Sequence, residues 1–89
     1  MSEIVKRAVA GTLESSDVYV EIEPGDGALE IELDSVVMNQ FGAQIRQVAS
    51  EVLAEQGVTS AKLRLVDRGA LDCVIRARVE TAILRGKGE

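Results

Sequence analysis

The fold is decided by residues 18–34, which read Val18-Tyr19-Val20-Glu21-Ile22-Glu23-Pro24-Gly25-Asp26-Gly27-Ala28-Leu29-Glu30-Ile31-Glu32-Leu33-Asp34. Apolar and polar residues alternate through both halves of this stretch, which is typical of β-strands with one buried face. The Pro-Gly-Asp-Gly sequence between the halves is a strong turn signal. We therefore predict strands at about 18–23 and 28–33, paired as an antiparallel hairpin with one apolar face.

The hydrophobic period changes after this stretch. From 36 to 56, apolar residues recur at spacings of three and four, which predicts an amphipathic helix that ends at Gly57. The apolar face of this helix consists of Val37, Phe41, Ile45, Val48, Ala49, Val52 and Leu53. Alternation returns at 60–66 and predicts a third strand.

The segment 70–84 fits two periods. Leu71, Val74, Ile75, Val79, Ala82 and Ile83 fit a helical face, whereas Cys73, Ile75, Ala77, Val79, Thr81 and Ile83 fit one face of a strand. Its length and its Ala, Leu and Arg content favour a helix. The expected architecture is α+β: one domain over 1–89, with the hairpin sheet packed on one long helix, and with 1–7 as a mobile lead-in.

Composition limits the core and the location of the protein. The chain has 89 residues, of which 46% are hydrophobic, and its aromatic residues are Tyr19 and Phe41. The predicted core is therefore aliphatic. No apolar run approaches the ~18 residues that span a bilayer, and the N-terminus lacks the pattern of a secretory signal. We expect a cytoplasmic protein that does not enter a membrane.

Charge is unevenly distributed along the chain. The net charge is −5, and no Lys or Arg lies between Arg7 and Arg46. This interval carries Glu14, Asp17, Glu21, Glu23, Asp26, Glu30, Glu32 and Asp34. Nucleic-acid binding needs a basic surface, so we predict no nucleic-acid partner. The carboxylates either dock on a basic protein surface or form the solvated face of a sheet.

Basic and nucleophilic residues offer little chemistry of their own. The chain has no histidine, one cysteine and no glycine-rich phosphate loop, so we predict no catalytic residue and no metal site. Lys62, Arg64, Arg76 and Arg78 form either a basic stripe for a partner or, more simply, solvated faces of their segments. Cys73 lies in an apolar run, so we predict that it is buried and dispensable for acyl transfer.

Two hydroxyl residues mark a turn near the N-terminus. Residues 8–13 favour a short first strand, and residues 14–17 favour an exposed turn before the strand at 18. Ser15 and Ser16 lie at the tip of this turn. The physics of the turn alone does not decide which of the two hydroxyls is functional.

Three separated motifs resemble one family, the citrate lyase acyl carrier proteins, which are the gamma subunits of that complex. The motifs are Ala8-Val9-Ala10-Gly11-Thr12-Leu13-Glu14-Ser15-Ser16-Asp17-Val18, Asn39-Gln40-Phe41-Gly42-Ala43-Gln44-Ile45-Arg46 and Asp67-Arg68-Gly69-Ala70-Leu71-Asp72-Cys73-Val74-Ile75-Arg76-Ala77-Arg78-Val79-Glu80. They occur in the order of the family, and the resemblance runs from about residue 4 to 85.

The resemblance implies a non-catalytic carrier subunit. In such carriers a serine, which falls on Ser15 here, bears covalent 2'-(5''-phosphoribosyl)-3'-dephospho-CoA, whose thiol carries acetyl and citryl groups. The implied partners are the alpha (transferase) and beta (lyase) subunits and the holo-protein synthase that attaches the group. Other hypotheses are the acyl carrier of malonate decarboxylase, a structural bridging subunit without cofactor, and a free-standing serine enzyme.

Overall fold

A computed structural model describes residues 3–36 and 38–88, and only the backbone at positions 38 and 39. The elements are β1 (Ala8–Gly11), β2 (Val18–Pro24), β3 (Leu29–Ser35), α1 (Met38–Glu55), β4 (Ala61–Asp67) and α2 (Asp72–Gly86). The α+β class and the positions of the predicted strands and of the long helix are confirmed. The ambiguous segment is helical. The predicted role of Val37 lies outside the described residues.

The pairing predicted for residues 18–34 is wrong. The strand order is β1-β2-β4-β3, so β4 lies between β2 and β3. β4 pairs antiparallel with β2 and parallel with β3, and the hairpin of this sheet is formed by β1 and β2. Helix α1 is the crossover that parallel strands β3 and β4 require.

Charge on the outer face of the sheet explains this order. Lys62 lies opposite both Glu23 and Glu30, and in the next row Arg64 lies opposite Glu21 and Glu32. Arg64 contacts both of its carboxylate neighbours, at 3.6 Å to Glu21 and 3.3 Å to Glu32. Direct pairing of β2 with β3 sets glutamate against glutamate, which is destabilising. The basic strand β4 separates the two acidic strands.

The aliphatic core lies between the other face of the sheet and the two helices. Helix α1 contributes Ile45, Val48, Ala49, Val52 and Leu53, and α2 contributes Ile75, Val79, Ala82 and Ile83. Each fully buried Ile, Leu or Val side chain adds about 1.5–3 kcal/mol of transfer free energy. Phe41 was predicted on this face but is 46% exposed, because it lies against the loop before α2 rather than against the sheet.

Gly57 ends α1 as predicted. Its φ of 72° is left-handed, its N–H donates to the Ala54 carbonyl at 3.0 Å, and the Val58 N–H donates to the Leu53 carbonyl at 2.9 Å. These two bonds form a Schellman motif, which satisfies carbonyls that the helix end would otherwise leave free. Leu53 and Val58 are both buried, so the motif also carries its usual apolar contact.

The described part of the N-terminal segment packs on the domain, although the sequence predicts a mobile lead-in there. Ile4 is buried, and the Glu3 carboxylate accepts a hydrogen bond from the Thr59 hydroxyl at 2.8 Å. The Val5 N–H donates to the Gly86 carbonyl at 2.9 Å. Ile4 reaches the core because Gly86 has no side chain at this crossing: a Cβ there meets Ile4 at 3.1 Å. In the part of the chain that is described, no helix is long and apolar enough to span a bilayer.

Candidate attachment site

Residues 12–17 form the turn that joins β1 to β2. The Asp17 N–H donates to the Glu14 carbonyl at 3.1 Å, which places Ser15 and Ser16 at the corner of a four-residue turn. Both serines are exposed. Ser16 has φ 67° and is the one non-glycine residue with positive φ among those described. Such a conformation costs a serine about 1–2 kcal/mol, so surrounding contacts must hold it.

Those contacts come from the loop that follows β4. The Ser16 N–H donates to the Arg68 carbonyl at 2.8 Å, and the Arg68 N–H donates to the Asp17 carbonyl at 2.9 Å. The hydroxyl of Ser15 makes no hydrogen bond to any described residue. The backbone of the turn is therefore fixed beside the exposed hydroxyl of Ser15.

Asp17 closes the base of the turn. Its carboxylate accepts hydrogen bonds from the Thr12 hydroxyl at 2.7 Å and from the Val18 N–H at 2.7 Å. It also forms an ion pair with Arg78 of α2, with the Nε 3.1 Å away. These contacts, first the Thr12 hydrogen bond, lower the pKa of Asp17 to about 2. The turn is thus joined to α2 as well as to β4.

Asp67 fixes the neighbouring loop. It is only 1% exposed, and its carboxylate accepts hydrogen bonds from the Ser35 hydroxyl at 2.8 Å and the Ala70 N–H at 2.9 Å. Its carbonyl accepts the Val36 N–H at 3.2 Å. A buried carboxylate is tolerated only when it is hydrogen-bonded, and here those bonds hold the loop that in turn binds Ser16.

The three motifs meet at one end of the molecule. The last motif contacts the first through Arg68 and Arg78, and it contacts the middle one through a 2.7 Å hydrogen bond from Gln44 to Asp72. Segments that are far apart in the chain therefore build one continuous surface around Ser15.

Comparison with known proteins identifies the family. A family model described as "ACP: Malonate decarboxylase delta subunit (MdcD)" matches residues 5–86. The citrate lyase acyl carrier protein of Pectobacterium carotovorum is 54% identical over 83 residues, covering 93% of this chain and 86% of that protein. The Haemophilus influenzae (strain PittEE) protein of the same name is 54% identical over 87 residues, covering 98% and 90%. The chain belongs to the citrate lyase acyl carrier protein family.

A solved structure resembles the fold of this carrier. One chain of the crystal structure of a Pseudomonas malonate decarboxylase hetero-tetramer in complex with malonate superposes with a TM-score of 0.79 at 26% identity. The superposition covers 90% of the carrier and 82% of that chain. The shared fold therefore covers most of the carrier.

Sequence reasoning missed the residues that hold the carrier's turn. Asp17 and Arg78 are 61 positions apart, so no local pattern indicates their contact. The four basic residues do not form the stripe that was the less favoured alternative. Lys62 and Arg64 lie on the outer face of the sheet, Arg76 contacts Glu51 and Glu55 of α1, and Arg78 contacts Asp17. The one available signal was that Asp17 and Arg78 both belong to family motifs.

Cys73 is exposed, so the prediction that it is buried is wrong. The prediction inferred burial from the apolar run as a whole and did not consider which of its residues share one face of a helix. Once the segment is helical, the buried face consists of Ile75, Val79, Ala82, Ile83 and Gly86. Cys73 belongs to the strand-like set and points away from that face, at the exposed start of α2.

We expect Cys73→Ala to leave the free energy of unfolding within about 0.5 kcal/mol of wild type, because no cavity forms at an exposed position. Acyl loading of the modified carrier should also be unchanged. Urea titration and mass measurement of the acylated protein check both points. Val79→Ala in the same helix is the buried control and should cost about 2 kcal/mol. Loss of loading by a folded, modified Cys73→Ala carrier would contradict the prediction.

The lowered pKa of Asp17 predicts acid sensitivity of the turn. Because the folded-state pKa is about 2, ionised Asp17 stabilises the fold above about pH 4, and this contribution is lost as pH falls from about 4 to about 2. Asp17→Asn should therefore cost about 1–2 kcal/mol near neutral pH, and much less near pH 2. Urea titrations of both proteins across this range measure the difference. Glu14→Gln, on the same turn but exposed, is the matched control and should cost less than about 0.5 kcal/mol near neutral pH.

Proposed function

We propose that this chain is the acyl carrier subunit of a citrate lyase and that Ser15 bears its covalent prosthetic group. The observation that supports this most is the position of Ser15: an exposed hydroxyl without a described partner, on a turn whose backbone is held from both sides. The turn begins within the Gly-Thr-Leu-Glu-Ser sequence of residues 11–15, and Ser15 is the last residue of that sequence. An attachment residue needs an accessible oxygen, and a carrier needs that oxygen on a rigid support.

The residues around Ser15 fit a large anionic group. Ser15, Ser16 and Glu14 are all exposed, so a bulky substituent on the Ser15 Oγ displaces no core side chain. Arg68, whose carbonyl holds Ser16, has an exposed side chain and supplies a nearby cation. Glu14 repels an approaching phosphate, so attachment requires the holo-protein synthase. When bound, phosphoribosyl-dephospho-CoA supplies a thiol at the end of a long arm.

The chain's own contribution is attachment and presentation rather than catalysis. Asp67 is the buried charged side chain among the described residues, and its hydrogen bonds are structural. Within the ranges described, no cluster of Cys, Asp and Glu is suited to a metal ion. The alpha and beta subunits perform the transfer and the cleavage, and the tether raises the effective concentration of the acyl group at their active sites.

Malonate decarboxylase is the second candidate assembly. The family model and the solved structure both carry that name. Citrate lyase is favoured because the sequence of this chain is 54% identical to that of a citrate lyase acyl carrier protein and 26% identical to that of the malonate decarboxylase chain.

Reconstitution tests the proposal. The carrier is co-expressed with holo-protein synthase and mixed with citrate lyase alpha and beta subunits, and oxaloacetate formation from citrate is measured. We expect activity with the modified wild-type carrier and none with Ser15→Ala. A parallel reaction contains the malonate decarboxylase subunits and malonate. Equal citrate cleavage with unmodified carrier would support a bridging subunit instead, and activity with malonate alone would favour the second candidate.

The acidic outer face of the sheet is proposed to assist docking on the transferase or lyase subunit. Glu23 and Glu30 flank Lys62 there and form no ion pair among the described residues. Exposed charges are screened within about 8 Å at physiological ionic strength, so we expect the association rate to fall about tenfold from low to high salt. A Glu23→Gln/Glu30→Gln carrier should lose much of this dependence in stopped-flow binding. A salt-independent wild-type rate would mean that the carboxylates only solvate the sheet.

A further inference from the structure

Exposed apolar side chains are concentrated at the end of the molecule that holds Ser15. Six large hydrophobic side chains are exposed among the described residues. Four of them form what we call the apolar end: Leu13 at 54% exposure, Val36 at 62%, Phe41 at 46% and Leu71 at 72%. The other two, Val5 and Leu29, lie elsewhere on the fold. Clustered apolar surface of this kind marks an interaction site.

Backbone contacts place the apolar end beside the attachment turn. Leu13 is part of the turn and lies two residues before Ser15. Val36 donates its N–H to the carbonyl of Asp67, the residue next to Arg68, and the Arg68 carbonyl holds Ser16. Leu71 follows in the same loop.

A groove connects two members of the apolar end. Phe41 and Leu71 line it together with Ile45 and Ala70, and its volume is about 330 Å³. The groove therefore runs from the start of α1 to the loop that supports the turn.

The shape and charge of this surface favour a protein over the prosthetic arm as its occupant. Leu71 and Val36 are 72% and 62% exposed, so they protrude, whereas a small-molecule site encloses most of its ligand. Asp72 lines the groove, and its carboxylate repels phosphate groups. Protruding apolar side chains with a polar rim are typical of the centre of a protein interface.

The reaction at Ser15 identifies the protein partner. To form the phosphodiester, the Ser15 Oγ gives up its proton to a base of the attaching enzyme and bonds to phosphorus. The phosphoric anhydride bond of the donor breaks, and its phosphate leaving group takes the electron pair. The enzyme must therefore reach Ser15 itself, and a standard interface covers about 800 Å² on each partner.

We propose that Leu13, Val36, Phe41 and Leu71 form the docking surface for the enzyme that attaches the prosthetic group to Ser15, and that this enzyme presents an apolar socket beside its phosphoryl-transfer site. The proposal rests on the proposed function, because it takes Ser15 as the modified residue. It adds the surface by which the unmodified carrier is recognised.

The test uses Ser15→Ala carrier as an unreactive competitor in the modification of wild type by holo-protein synthase and its precursor. We expect the Ser15→Ala carrier to inhibit the reaction. A competitor that carries Leu71→Asn or Val36→Asn as a second substitution should inhibit about tenfold more weakly. With Ser15 intact, either substitution should raise KM about tenfold and leave kcat unchanged. Leu29→Asn and Val5→Asn make the same changes at exposed positions away from Ser15 and should have no effect.

The outcomes separate this proposal from the function on which it rests. The docking surface would be refuted if the Ser15→Ala competitors that also carry Leu71→Asn or Val36→Asn both inhibited fully. It would also be refuted if either substitution, with Ser15 intact, lowered kcat and left KM unchanged. Weakening by the Leu29→Asn and Val5→Asn controls as well would also overturn it, because the effect would not be local. Failure of the synthase to modify wild type would instead refute the proposed function. Circular dichroism confirms that each variant is folded, and the two independent positions keep the test decisive if one variant is not.

Discussion

Ser15→Ala is expected to fold like wild type and to accept no prosthetic group. The Ser15 side chain is exposed and its hydroxyl makes no described hydrogen bond, so its loss should change the free energy of unfolding by less than about 0.5 kcal/mol. Modification should fall from complete to undetectable, because the attacking oxygen is gone. Intact mass after incubation with holo-protein synthase and its precursor measures the effect.

Ser16 provides the matched control for this prediction. Ser16→Ala and Ser16→Gly both remove the neighbouring hydroxyl, and both should still be modified. Ser16→Gly should also be slightly stabilising, because glycine adopts the positive φ of 67° at that position without strain. An adduct that persists on Ser15→Ala and disappears from both Ser16 variants would move the attachment site by one residue.

Gly11→Ala is expected to have the largest effect on stability, a loss of about 3 kcal/mol. Gly11 ends β1 with φ +83°, and a Cβ there lies 1.8 Å from the Val18 carbonyl oxygen. The clash is with backbone, so no side-chain movement relieves it. Because Gly11 and Val18 flank the turn, the backbone around Ser15 must shift as well, and modification should slow.

Gly27→Ala separates the clash from the strained backbone angle. Gly27 has φ +99°, but no atom lies within 4 Å of a Cβ built there. Alanine should therefore cost only the conformational strain, about 1–2 kcal/mol. Urea titration compares the two variants. Equal losses would show that the close approach of Gly11 to Val18 does not constrain the turn.

Hydrophobic period predicted the positions of β2, β3, β4 and α1, and length and composition favoured a helix for α2, but the pairing of the strands was not predictable in this way. Alternation fixes which face of residues 18–23 and 28–33 is buried, and it says nothing about which strand lies alongside. The turn at 24–27 suggested a hairpin because local connections are the commonest. The side chains on the outer face of the sheet explain the pairing. β2 and β3 both carry glutamates there, whereas β4 carries Lys62 and Arg64, so the arrangement with β4 between them is favoured.

The candidate site, too, was predictable from the sequence only in part. The turn and the exposure of both serines follow from local sequence. The choice of Ser15 comes from family resemblance and stays a proposal. The contact between Asp17 and Arg78 depends on the packing of α2 against the β1–β2 hairpin, which no short-range pattern encodes. Cys73 was misplaced for a related reason, since its burial depended on whether its segment was helix or strand.

Peptide mass mapping of wild-type carrier co-expressed with holo-protein synthase tests whether Ser15 bears the prosthetic group. We expect one adduct with the mass of phosphoribosyl-dephospho-CoA, linked through a phosphodiester, with fragment ions that assign it to Ser15. A wild-type protein that stays unmodified in the presence of active synthase, or an adduct assigned to any other residue, would contradict the assignment of Ser15.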